Sequence, residues 1–355
     1  MISTQNLTAN TVRRRREARQ WSQAELAARA GISRAAVSAI EGERLSPSVA
    51  SALALSAALE CSVEELFGAP RAAAATSQPD WAWQPASPAC RYWEAVVSGR
   101  RRIYPLEAAA LNAIPHDGVW LNGVLRENGV APAEQTLVMA SCDPTAGLLA
   151  AEYARASGFR LLVFPRSGRA ALELLRQRLV HVAALHYATD EQPDRNVAAV
   201  REQFGSEARL LRLAKWEAGI VLPSGDRSAS VEFVARRPLR WAAREPGSAA
   251  RECLDDLLGR RGFAGREVHG HASVAEAVRS GWAEAGVCVR FSAEDAGLNF
   301  LPVRRETLDL CFAEGSEHDA RIQALLRLLR SRAYRRLVSE LPGFDARETG
   351  EILSL

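Results

Sequence analysis

The sequence predicts a multi-domain chain, with an amino-terminal all-α domain of five short helices followed by an α/β domain of two lobes. Three observations carry this. Residues 22–41, SQAELAARAGISRAAVSAIE, read as two short helices about a tight glycine turn. Residues 69–88 are rich in Pro, Ala, Ser and Gln, a linker composition. From residue 135 onward, short apolar runs alternate with helical stretches, the rhythm of βαβ units and a parallel sheet.

The first helix of the pair starts at Ser22, whose hydroxyl and Glu25 three residues on make a capping box. Gly31 ends it in the left-handed conformation at low steric cost. Ser33 caps the second helix, whose apolar positions Ala36, Val37 and Ile40 recur at helical spacing and leave Arg34, Ala35 and Ser38 outward. The flanks fit three more helices: one over 7–19 with the basic run Arg13 to Arg16, one opened by Ser46 and Pro47, and one from Ser62 and Glu65 to Gly68. Over residues 7–68 this stretch resembles the helix-turn-helix of phage-repressor-like (Xre or Cro/C1-type, lambda-repressor-like) regulators. The resemblance implies that the second helix enters a DNA major groove. Arg34 and Ser38 are then the expected base readers, Ala35 an apolar contact, and Gln23, Ser33, Arg44, Arg13 and Arg16 contacts to the backbone.

The 355 residues are 48% hydrophobic and 25% charged, which suits a globular protein of two or three domains. A net charge of +3 makes any nucleic-acid contact local. The six cysteines (Cys61, Cys90, Cys142, Cys253, Cys288, Cys311) form no CxxC, which argues against a disulfide framework and against a structural zinc site. With neither a signal core nor a long apolar stretch, a cytoplasmic protein without a membrane partner is expected.

The expected organisation is a DNA-binding domain over 1–68, a linker over 69–89, a small element over 90–134 and a ligand-sensing domain over 135–355. Lobe I would span about 135–224 and 305–355, and lobe II about 225–304. Trp81 and Trp83 are too apolar for a free tail and should dock on a neighbouring surface. Residues 91–97 read as a strand or short helix, 103–111 as a further element, and His116 with Asp117 as a turn. Strands are expected at 136–140, 160–164, 182–185, 219–223, 239–243, 267–268, 285–289, 299–303 and 308–312. Helices should begin near Ser141, Ser167, Ser248 and Ser273, with two more within 319–339.

The blocks SCDPTAGLLA (141–150), WEAGIVLPSG (216–225), REPGSAARECLDDLL (244–258), HASVAEAVRSGWAEAGVCV (271–289) and LPGFDARETG (341–350) resemble the type II periplasmic-binding-protein-like domain fused to helix-turn-helix domains in bacterial regulators, related to molybdate-binding proteins. The resemblance implies a cleft between lobes where helix N-termini meet a small molecule, an oxyanion or carboxylate being favoured. Ser141, Cys142, Asp143, Ser167 and Gly168 would line one wall, and Arg244, Gly247, Ser248, Arg251, His271 and Ser273 the other, with His186 and Tyr187 at a strand end. Ala250 stands where the family commonly has threonine, so a hydroxyl for a tetrahedral oxyanion is missing. Asp143 repels an anion unless it caps its helix facing away.

No catalytic residue, resident metal or cofactor is assigned. Overall, a ligand-responsive, one-component regulator is expected, binding double-stranded operator DNA as a homodimer or higher homo-oligomer. Two alternatives stay open. One is a metal- or thiol-redox sensor using Cys142, His186 and His271, although His269 and His271 read as neighbours on one strand. The other is a small-molecule or cofactor-binding protein whose helical domain is a protein-interaction module.

Overall fold

The computed structural model describes residues 11–42, 44–67, 79–107, 115–121, 123–128, 132–259, 262–353 and 355. Positions 7–10 of the expected first helix, 69–78 of the linker and 108–111 of the expected element lie outside the described residues. The chain forms two compact units, residues 1–79 and 80–355.

The first unit holds helices α1 (Thr11–Ala18), α2 (Gln23–Ala30), α3 (Arg34–Glu41), α4 (Val49–Ala58) and α5 (Val63–Phe67). Both arms of the Ser22–Glu25 capping box form, and Gly31 takes φ 64° to close α2. Ser33 caps α3 by accepting from the Ala36 N–H. Helix α4 starts later than expected: Ser48, not Ser46, accepts from the Ser51 N–H, leaving Pro47 ahead of the cap. Val12, Leu26, Val37, Ile40, Leu55, Leu59 and Leu66 make the core. Helices this short are unstable alone, so this packing holds them.

The second unit opens with a four-stranded antiparallel sheet in the order β2-β1-β3-β4, from β1 (Cys90–Val97), β2 (Arg100–Pro105), β3 (Gly118–Leu121) and β4 (Val124–Glu127). Residues 91–97 are therefore strand. Ser98 and Gly99, both at positive φ, form the two-residue turn joining β1 to β2. Trp81 packs edge-on to Tyr92 and Trp120, and Trp83 to Tyr104 and Phe164. The expected docking of both tryptophans is realised. Asp117 is buried; it accepts from the Glu94 N–H and pairs with Arg160, tying this sheet to the larger one.

His181 ties the same layers together. Its Nδ1 accepts from the Val138 N–H, and its Nε2–H donates to the Val96 carbonyl. Burial, then the charge of Arg321, lower its pKa from 6.5 to about 4, against a smaller opposing pull from Asp319. The unfolded chain therefore takes up a proton between pH 6.5 and 4 that the folded chain refuses. Stability is complete above pH 6.5 and falls by about 3 kcal/mol as the pH drops through that window. Urea midpoints from pH 7 to 4 should show this slope in the wild type and its loss in His181→Gln.

The large sheet runs β10-β9-β11-β8-β12-β7-β5-β6. Strands β5 (Thr136–Ser141), β6 (Arg160–Pro165) and β7 (Val182–Thr189), with helices α6 (Ala146–Ser157), α7 (Gly168–Arg176) and α8 (Arg195–Phe204), build lobe I. Helices α13 (Ala320–Arg330) and α14 (Arg332–Ser339) complete it. Lobe II holds β9 (Arg240–Arg244), β10 (Ala264–Val268) and β11 (Ala285–Val289). Its helices are α9 (Val231–Arg236), α10 (Ala249–Leu258), α11 (His271–Arg279) and α12 (Arg290–Asp295).

Two 15-residue strands, β8 (Ala208–Leu222) and β12 (Asn299–Ala313), pair antiparallel along their whole length and pass through both lobes. The expected strands 219–223, 299–303 and 308–312 are fragments of these two. The charged centres 215–217 and 304–307 break the apolar pattern: Arg304 pairs with Glu306 in the interior, Lys215 with Glu348 and Glu217 with Arg290 nearer the surface, and Arg305 is exposed. Where they cross, Gly219 lies so close to the Leu301 carbonyl that a Cβ would sit 2.1 Å from its oxygen. Only glycine permits that approach. Short strands β13 (Phe344–Asp345) and β14 (Ile352–Leu353) add to β8.

Candidate functional site

On the first unit, Arg34, Ala35 and Ser33 are exposed and Ser38 is half-buried, so the outer face of α3 is open as expected. Arg44 is exposed, and Arg13 is exposed beside Glu17, 2.9 Å away. Arg16 is a correction. Its guanidinium is buried on the Glu41 carboxylate (2.6 and 3.0 Å) and donates to the Trp21 carbonyl, so it is structural and cannot hold phosphate. Gln23 donates to the same carboxylate at 2.9 Å, which commits its amide inward too.

In the second unit, the ends of β5, β7 and β9 meet the middle of β8 and β12. Cys142 Sγ lies 3.0 Å from His186 Nε2, and His186 Nδ1 lies 2.7 Å from Glu306 Oε2. The carboxylate accepts from His186, so Nδ1 carries a proton and Nε2 faces the sulfur. Glu306, fully buried, also accepts from Trp216 Nε1 (3.1 Å) and from Arg304. Burial pushes the Cys142 thiol up, but the charge and hydrogen bond of His186, with Arg244 behind, hold it below its ordinary value. His186 is correspondingly raised: its burial is outweighed by Cys142 and Glu306.

Arg244 is 2% exposed at the end of β9. Its Nε and Nη2 bond Glu245, while Nη1 is buried with no partner among the described residues. His271, 1% exposed, begins α11, and neither ring nitrogen has a partner among the described residues. Burial first, then Arg244 and His186, push its pKa well below the usual imidazole range. Its ring centroid lies 5.6 Å from that of His186 and 5.8 Å from that of Trp216.

The remaining expected residues divide. Ser141 accepts from the Asp143 N–H, and Asp143 Oδ1 accepts from the N–H and hydroxyl of Thr145; this turn delays α6 to Ala146, later than the expected start near Ser141, and no side chain caps it. Burial raises the Asp143 pKa. Ser167 stands at the N-cap of α7 without making the cap bond, and Gly168 follows it. Tyr187 Oη reaches the Gly247 carbonyl at 3.5 Å, one lobe to the other. Ser248 both caps α10 and donates to the Glu245 carbonyl. Arg251 is drawn along its own helix to Asp255 and over the Phe263 ring.

Two expectations are corrected here. Ser273 does not open α11: the helix begins two residues earlier, leaving Ser273 exposed on its outer side, away from the cleft. His269 shares no strand with His271; it lies past the end of β10, its side chain 81% exposed near Glu245. The sequence reading missed Glu306, Trp216 and Arg304, which orient the imidazole. A carboxylate, an indole and a guanidinium within otherwise apolar strand runs were the available signal.

Comparison with known proteins agrees with this architecture. A helix-turn-helix family model matches residues 12–66, and the model for the PBP superfamily domain matches residues 150–330, half of the chain. An uncharacterized protein of Bacillus subtilis (strain 168), YvgK, is 26% identical over 182 residues, 48% of this chain. The match spans 58% of that relative's length. Similar solved structures include PEB3 bound to L-phospholactate (14% identity, TM-score 0.45, 59% of this chain and 99% of that one). Another is the Synechocystis PCC6803 CcmR regulatory domain with 2-PG (11%, TM-score 0.42, 54% and 94%). The effector-binding domain of QuiR with shikimate is a third (12%, TM-score 0.40, 54% and 92%). The chain belongs to the PBP superfamily, and a helix-turn-helix domain precedes its superfamily domain.

Proposed function

We propose that this protein is a cytoplasmic one-component transcriptional regulator whose α3 reads operator DNA and whose inter-lobe cleft senses a small anion, an oxyanion or carboxylate. The observation that carries the ligand class is Arg244 Nη1, a charged donor buried without a partner among the described residues. Glu245 pairs the guanidinium from its other edge, but leaving the Nη1 donor unsatisfied is still costly, and an anionic oxygen is its natural complement. Ser167, at the N-terminus of α7 without a cap bond, offers a hydroxyl and backbone N–H groups to the same kind of ligand. Exposed Val49 and Leu53 on α4 suit a homodimer, in which two α3 helices would meet two half-sites. Ligand-dependent closure of the lobes would then alter operator affinity.

Gel shifts on the region upstream of its own gene test the DNA half. Arg34→Ala should lose roughly 1–3 kcal/mol of site-specific binding and relax one base position. An unchanged shift would favour a protein-interaction module instead. For the sensing half, full-length protein is screened by thermal shift against carboxylates, phosphate, sulfate and molybdate. A true ligand at one hundred times its Kd adds about 2.7 kcal/mol of stability, and Arg244→Met should abolish the gain. If none of these anions raises the melting temperature or alters DNA affinity, the sensing assignment is wrong.

A further inference from the structure

We propose that Cys142, His186 and His271 form a site for a thiophilic transition-metal cation of the Zn2+ or Cu+ class, and that the ion clasps the two lobes together. Cys142 and His186 belong to lobe I and His271 to the first turn of α11 in lobe II. Their ligand atoms all lie within 4.8 Å of one another, and all three residues are buried. Around zinc, such atoms stand about 3.5 Å apart, given metal–sulfur and metal–nitrogen distances of about 2.3 and 2.1 Å. A lobe movement of about 1 Å would complete the site.

Three further observations point to a metal rather than to packing. His271 has two ring nitrogens buried without partners among the described residues, which an imidazole used only as filler would not need. His186 donates Nδ1–H to the Glu306 carboxylate, the arrangement that fixes a ligating imidazole with Nε2 presented to a metal. Local charge also allows a cation: the Cys142 thiolate, Glu306 and Glu245 face two guanidiniums, Arg244 and Arg304. One sulfur and two imidazole nitrogens select Zn2+ or Cu+ over Mg2+ or Ca2+. The ion replaces the proton that Cys142 and His186 share, which leaves to solvent. Three protein ligands leave a coordination position open, and a small anion could fill it opposite Arg244.

The test needs neither anion nor DNA, so its failure would leave the sensor proposal standing. Full-length, reduced protein is titrated anaerobically with Co2+ as a zinc probe, and separately with Cu+ against a chelator. The expected result is one equivalent of Co2+ with a thiolate-to-cobalt charge-transfer band, displaced by Zn2+, or one equivalent of Cu+. Cys142→Ser should remove the band. His271→Gln should weaken either ion at least tenfold while the protein stays folded, because that ring makes no hydrogen bond whose loss could unfold it. Failure to bind either ion, or binding that survives both substitutions, overturns the proposal.

Discussion

Replacing Arg16 with alanine is expected to unfold the amino-terminal unit, by about 3 kcal/mol, rather than merely weaken a phosphate contact. Arg16 and Glu41 join α1 to α3 through two hydrogen bonds, and Arg16 also holds the Trp21 carbonyl at the entrance to α2. Burial pushes the Glu41 pKa up, but Arg16 and Gln23 outweigh it and keep the carboxylate charged. Truncation of Arg16 strands that charge in a small core. A domain of this size has about 3–9 kcal/mol of total stability, so the loss is comparable to the whole. Hydrogen exchange over residues 11–67 of the full chain should accelerate throughout in Arg16→Ala. In Arg34→Ala it should not, although both variants lose DNA binding. An apolar pair of similar volume, Arg16→Met with Glu41→Leu, should restore protection, since a buried ion pair is costly chiefly when broken. If Arg16→Ala leaves exchange unchanged, Arg16 is a surface cation and the salt bridge is incidental.

The same residue shows where sequence reasoning stopped. In the run of four arginines, one-dimensional spacing does not distinguish the one facing inward, because its partner Glu41 lies 25 residues away. Caps were legible because their chemistry is local: Ser22, Gly31, Ser33, Ser167 and Ser248 all stand where helix ends require them. The alternation of strand and helix was legible for the same reason, to within one residue at the ends of β5 and β6 and at both ends of β11. The long strands were not. Glu306 and Arg304 interrupt β12 with charges that pair with each other, and Glu306 also receives His186 and Trp216 from two other strands. Helix α8 carried a signal that went unread, Val197, Val200 and Phe204 on one face, whereas α9 and α12 are too short for periodicity. Residues 142 and 186 could be suspected of pairing, but their 3.0 Å contact depends on the parallel registry of β5 with β7.

Glu306→Ala should have the largest effect in the second unit. The carboxylate is fully buried and receives His186 Nδ1, Trp216 Nε1 and the Arg304 guanidinium. Its removal leaves Arg304 with the Ala249 carbonyl and, 3.8 Å away, the exposed Asp256, and strips two further buried donors of their acceptor. Breaking a buried pair in this way costs about 3–5 kcal/mol, a fall in melting temperature on the order of 10 °C. Glu306→Gln keeps the volume and an acceptor, so it should remain folded and isolate the charge effect. Glu306 supports the positive charge on His186, and His186 in turn holds the Cys142 thiol low. Without the carboxylate, His186 gives up its proton at lower pH and Cys142 ionises at higher pH. The thiolate absorbance attributable to Cys142, taken as the difference between each protein and its Cys142→Ser partner, should rise at higher pH in Glu306→Gln than in wild type. An identical titration in both would mean that Glu306 only fills space behind the imidazole, and that the three-residue relay from β12 to Cys142 does not operate.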